Sequence, residues 1–209
     1  MTRFILGMVL ASSSITVALA ADPTDKQNSE TKVTCHGKLR HGVVAVGGET
    51  TGTTISFSGL TWELILPDAT RVDFAKNHHK KPVTAIGILR KVEGVERPVR
   101  WIVEVSELTE TDEKVKDETT LMTVHGILKK DGSGQAKSEW CVVTDSTSWP
   151  IELSKDAKLR ATADTLVMKP VVVTGQVHCS KTKEPHAVID ATTIQPAPVA
   201  LTNPAKTIK

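Results

Sequence analysis

The sequence predicts an all-β protein with short helices, built as two tandem five-stranded units from an internal duplication. Three observations predict it. First, four blocks recur in the same order. Thr34-Cys35-His36-Gly37 returns as Thr123-Val124-His125-Gly126, and Trp62-Glu63-Leu64-Ile65-Leu66 as Trp149-Pro150-Ile151-Glu152-Leu153. Lys81-Pro82-Val83 with Gly87 returns as Lys169-Pro170-Val171 with Gly175, and Ile102-Val103-Glu104-Val105 as Val188-Ile189-Asp190-Ala191. The offsets are 89, 87, 88 and 86 residues, so each copy is long enough to be a small domain. Second, short alternating runs rich in β-branched residues lie between Gly-containing turns, as strands do. Third, each copy interrupts that alternation once, at the same place.

In the first copy, Lys32 to Val46 holds strand one, with Val33, Cys35, Leu39, Val43, Val44 and Val46 apolar and Gly37 and Gly42 available to bend it. Gly47 to Gly52 is turn material. Thr53 to Phe57 and Leu60 to Leu66 are strands two and three around Ser58-Gly59. Asp68 to Lys80 lacks alternation, and Asp68 suits a helix N-cap. Val83 to Leu89 and Val99 to Leu108 complete the unit as strands four and five. The second copy repeats the order with Thr123 to Leu128, Trp140 to Thr144, Trp149 to Leu153, a helical stretch from Lys155 to Thr165, then Val171 to Val177 and Ala187 to Ile194.

Three strands, a short helix and two more strands resemble the OB-fold, a five-stranded partly open barrel. The chain is similar in style to small exported bacterial OB-fold proteins. The positions that carry the resemblance are Thr34-Cys35-His36-Gly37 and Thr123-Val124-His125-Gly126. It implies two OB-fold-like barrels, at residues 31–108 and 120–195, joined by a charged linker at 109–119 and followed by a flexible tail at 196–209. A plain β-sandwich of two five-stranded halves is the structural alternative.

Residues 1–20 read as a signal peptide. Arg3 is followed by the apolar run Phe4 to Ala11, and Ala18-Leu19-Ala20 offers small residues at a cleavage site. Ser12, Ser13 and Ser14 interrupt a run already shorter than the ~20 apolar residues of a span. The expectation is an exported chain, periplasmic or secreted, with no membrane span after cleavage. Without Arg3, 25 basic residues face 24 acidic ones. That balance gives no global field to gather phosphate backbones, so a nucleic-acid partner is expected to be unlikely.

No nucleophile elbow, P-loop, HExxH or CxxC is present, and no catalytic residue or cofactor is expected. The leading expectation is a non-enzymatic binding module that takes an envelope protein, glycan or small ligand. Trp62 and Trp149 match between copies and read as core anchors. Trp101 and Trp140 have no matching partners and are the ligand-binding candidates. Basic side chains near them are Lys129-Lys130 and Arg90-Lys91 with Arg97 and Arg100. One alternative is metal binding by Cys35, Cys179, His78 and His79, whose thiolate and imidazole suit Cu(I) or Zn(II). Adjacent Cys–His residues on a strand point to opposite faces, which argues against a shared site. Another is single-stranded nucleic acid or oligosaccharide on the OB-fold face. In an oxidising compartment three cysteines allow one bridge, expected between Cys141 and Cys179.

Overall fold

A computed structural model describes residues 30–44, 49–94, 99–111, 118–130, 138–153, 156–180 and 186–198. The expected signal peptide, most of the expected linker and most of the expected tail lie outside the described residues. The protein is mostly β, with ten strands and two short helices in these segments. The first half contains β1 (Thr31–His41), β2 (Thr53–Phe57), β3 (Leu60–Ile65), α1 (Ala69–Asn77), β4 (Pro82–Val92) and β5 (Arg100–Glu110). The rest contains β6 (Thr120–Lys130), β7 (Trp140–Val143), β8 (Ser148–Leu153), α2 (Ala157–Thr165), β9 (Pro170–Cys179) and β10 (Ala187–Pro196).

Strands β1 to β5 close into a barrel. β1 pairs with β2, β2 with β3, β3 in parallel with β5, β5 with β4, and β4 returns to β1. That closure is OB-fold-like and removes the open edges a β-sandwich alternative would leave. Five more strands pair in the order β6–β7–β8–β10–β9, with β9 also paired to β6. All ten belong to one sheet because β1 and β6 form an antiparallel ladder from Thr31↔Val124 to Cys35↔Thr120. Its central pair is Val33↔Met122, two residues separated by the same 89 positions as the first repeated block.

Alternation sends Val33, Cys35 and Leu39 of β1 inward beside Ile55, Trp62, Leu64, Val83 and Val103, all buried. Met122, Val124 and Leu128 of β6 do the same with Val142, Trp149, Ile151, Val171 and Ile189. Close strand crossings demand glycine. A Cβ on Gly87 would stand 2.2 Å from the Glu104 carbonyl oxygen, and one on Gly175 2.3 Å from that of Asp190.

The helices plug corresponding places. The Asp68 carboxylate accepts from the Arg71 N–H, and the Asp156 carboxylate accepts from the Lys158 N–H, so each helix begins on an aspartate cap. α1 buries Ala75 and α2 buries Ala163. Each helix then leads to a residue with positive φ, Lys80 at 66° and Met168 at 62°. The Lys80 N–H donates to the Leu39 carbonyl and the Met168 N–H to the Leu128 carbonyl.

Several boundaries move from the sequence expectation. β1 stops at His41 rather than Val46, while β5 runs through Glu110 into the expected linker. β6 begins at Thr120, three residues before the repeated block, because those residues pair with β1. Among the described residues, no helix is long and apolar enough to cross a membrane.

Candidate functional site

Strand register assembles the most site-like surface of the first half. Arg40 pairs with Thr54, and Thr54 pairs with Glu63, so three outward side chains form a row across β1, β2 and β3. The next row, by the same ladders, is Lys38, Ser56 and Thr61. Beside these rows lies a cleft of about 310 Å³, lined by Arg40, Thr54, Thr61, Glu63, Arg100 and Trp101. Residues Val43, Val44, Glu49 and Thr50 from the β1–β2 connection and Val99 from the β4–β5 connection also line it.

Glu63 organises the floor. Its carboxylate accepts from Arg100 Nε at 2.7 Å, from Arg100 Nη2 at 2.6 Å and from the Thr51 N–H at 2.8 Å. One side chain on β3 therefore ties the end of one connection to the end of the other. These hydrogen bonds, Arg100 first, hold the Glu63 carboxyl below its ordinary range. Reciprocally, Glu63 raises the Arg100 guanidinium further. Both side chains are largely shielded, at 13% and 16% exposure, so the pair is a fixed part of the cleft.

Trp101, one of the two expected ligand contacts, reaches this cleft and is half-buried. Its ring lies 4.6 Å from that of Trp149 at 38°, so the second half backs the cleft wall. Trp140, the other expected contact, is only 3% exposed. Lys130 Nζ sits 4.6 Å from its ring centroid, and burial removes Trp140 as a stacking platform. The expected core anchors Trp62 and Trp149 are buried at 1% and 3% exposure.

The expected metal residues occupy separate surroundings. Cys35 is fully buried, and burial pushes its thiol up to about 12. A thiol so protonated is a poor metal ligand at neutral pH. His78 stacks on Phe74 and hydrogen-bonds Glu110 through Nε2 at 2.7 Å. His79 Nδ1 accepts from the His41 N–H at 3.1 Å. Cys179 ends β9, where a Cβ on Gly59 would lie 3.6 Å from its own Cβ. Among the described residues, no group of three or more His, Cys, Asp or Glu is placed to hold an ion.

The expected Cys141–Cys179 bridge does not form, since all three cysteines are free. Cys141 pairs with Lys129 of β6, whereas Gln176, three residues before Cys179, pairs with Leu121. Those β6 positions are about 26 Å apart at ~3.3 Å per residue, far beyond the ~7 Å Cα limit of a disulfide. The basic candidates are also mostly committed. Lys130 reaches Asp164 at 2.9 Å, Arg90 reaches Glu104 at 2.6 Å, and Arg97 lies outside the described residues.

Glu63, Arg40 and Thr54 were missed as site residues by the sequence reading. The available signal was Glu63 itself, an acid facing outward between inward Trp62 and Leu64, with Pro150 at the matching position.

No protein-family model matches this chain, and no curated protein sequence does. Among solved structures, the fold is similar to that of a deletion variant of the single-stranded DNA binding protein from Thermus aquaticus. That likeness has a TM-score of 0.53 at 12% identity and covers 85% of this chain and 99% of the other. The wild-type Thermus aquaticus protein aligns at a TM-score of 0.47 and 10% identity, over 80% and 93% of the two chains. The chain is thus OB-fold-like. The expectation that nucleic acid is an unlikely partner is overturned, because the fold it shares is that of a single-stranded DNA binding protein.

Proposed function

We propose that this chain is a non-enzymatic binding protein for single-stranded nucleic acid, made of two OB-fold-like units that arose by duplication. The observation that carries the reading is the position of the cleft. It lies on the β2–β3 face between the β1–β2 and β4–β5 connections, the surface OB-folds use for oligonucleotides and oligosaccharides. Trp101 supplies an aromatic wall and Arg40 a cation at that place. The likeness to a single-stranded DNA binding protein favours nucleic acid over an envelope protein as ligand class. The duplication reading is supported by the matched blocks, the matched aspartate caps and the matched ring of pairings. The signal-like residues 1–20 support export, so the encounter is placed outside the cytoplasm in this reading.

The test is fluorescence anisotropy of a labelled 15-nucleotide oligothymidylate titrated with the mature protein at low salt. Saturable binding that an unlabelled single strand displaces, and a duplex displaces poorly, is the expected result. No binding at protein concentrations of about 100 μM would remove the reading, since even non-specific strand binding falls near or below that range.

A further inference from the structure

We propose that the cleft takes one unstacked base with its sugar and grips the ring rather than the phosphate backbone. The inference rests on the single-strand reading above. Size is the first argument. At about 310 Å³ the cleft is at the small end of ligand sites, room for one ring-bearing unit and not a tract.

Charge is the second. The lining holds two cations, Arg40 and Arg100, and two anions, Glu49 and Glu63, so its formal charge sums to zero. Arg100 does not offer its Nε–Nη2 fork to a phosphate. Both atoms are engaged by Glu63, and Glu49 adds a second negative field at the guanidinium. A phosphate seeking that fork would have to displace a carboxylate that also holds the Thr51 N–H. An uncharged ring displaces nothing.

The remaining walls suit such a ring. Trp101 gives an aromatic surface already braced by Trp149, and Val43, Val44 and Val99 give an apolar rim. Thr54 and Thr61 present hydroxyls that can donate or accept to a base edge. Thr61 shares its hydroxyl with Ser56 at 3.0 Å, whereas Thr54 has no hydrogen-bond partner for its hydroxyl among the described residues. Arg40 is left at the edge of the cleft for a single flanking phosphate. One such contact implies a shallow salt dependence. Between 50 and 500 mM salt, affinity should fall by about fivefold, against roughly ten-thousandfold for a groove that follows six phosphates.

The experiment repeats the oligothymidylate titration from 50 to 500 mM NaCl with three competitors: thymidine, inorganic phosphate and methyl glucoside. The expected result is a loss of about fivefold over the salt range, competition by thymidine alone, and binding about tenfold weaker in Thr54→Val. That variant keeps the volume of the side chain and is checked for folding by its denaturation midpoint. A loss above a hundredfold with competition by phosphate, or unchanged binding in Thr54→Val, would overturn the base site while leaving strand binding intact. Competition by methyl glucoside in place of thymidine would overturn it in favour of a sugar. No oligothymidylate binding at any salt would remove the single-strand reading itself.

Discussion

The two groups of five strands cover their central tryptophans differently. In β1–β5 the Trp62 ring meets Phe57 edge-on at 4.7 Å, within the same half. In β6–β10 the residue two positions beyond the Val142↔Trp149 pair is Thr144, where Phe57 stands beyond Ile55↔Trp62. Thr144 is too small to cover an indole, and Trp149 is met instead by Trp101 from β5. The outer faces diverge as well. The row Arg40–Thr54–Glu63 corresponds to Lys129–Cys141–Pro150, and Lys38–Ser56–Thr61 to Ile127–Val143–Ser148. The first half keeps a polar, cross-linked outer face. The second presents fewer groups that can hold a polar ligand and lends its aromatic core to brace the first.

The largest expected effect tests whether the two tryptophan sites of the core are equivalent beneath that difference. Trp62→Ala and Trp149→Ala should each cost about 4 kcal/mol, measured by urea denaturation, because both rings are buried and truncation leaves a cavity in a packed core. A cost for Trp149→Ala below about 1 kcal/mol would show that β6–β10 does not pack around its tryptophan. A second pair of variants probes the backbone rather than the side chains. Gly87→Ala and Gly175→Ala should each cost about 3 kcal/mol, since the added methyl meets a carbonyl oxygen at 2.2 or 2.3 Å. Very unequal costs would break the structural equivalence of the two crossings.

Much of this was legible in the sequence, and the physical reason differs by feature. Strand positions such as Thr53–Phe57 were readable because period-two alternation and the Ser58-Gly59 turn are local signals. The Asp68 cap was readable for the same reason, whereas the Asp156 cap lies one residue inside the expected start of its helical stretch and was not. The β1–β6 ladder was not, because a pairing between residues 89 apart leaves no mark on local alternation. The cleft was only partly legible. Trp101 stood out as an unmatched aromatic, but the Glu63–Arg100 pair depends on the parallel register Glu63↔Ile102 that joins β3 to β5. Trp140 was misassigned because an unmatched aromatic can be buried by its own half. Sequence mismatch between the two halves does not report exposure.

The next effect concerns the feature that most separates the halves. Glu63→Gln should cost about 2 kcal/mol at neutral pH, because it removes charge-assisted bonds to a shielded guanidinium. Position 150 is proline, so the second half has no counterpart to lose. The pH dependence has a definite sign. Arg100 holds the folded-state carboxyl below its ordinary value of 4.5. The contribution of Glu63 is therefore full above 4.5 and is lost as pH falls through the lower folded-state value. Wild type should lose more stability than Glu63→Gln in acid urea denaturation. Parallel acid curves would mean that the pair is not a differential contributor.

The smallest expected effect concerns the contact that joins the halves. A double-mutant cycle on Trp101→Leu and Trp149→Leu should give a coupling energy of about 1 kcal/mol, the usual worth of an aromatic pair beyond its buried area. The same cycle read through ligand binding separates two roles for Trp149. If Trp149 only fills the core of β6–β10, Trp149→Leu should lower stability and leave affinity at the first-half cleft unchanged. If it braces the cleft wall, as the 4.6 Å contact with Trp101 indicates, affinity should fall in Trp149→Leu. That fall should vanish when Trp101 is already leucine, because the wall it braces is then gone. A conserved affinity in Trp149→Leu would reduce the cross-half contact to packing, and the first half would be a self-sufficient binding unit.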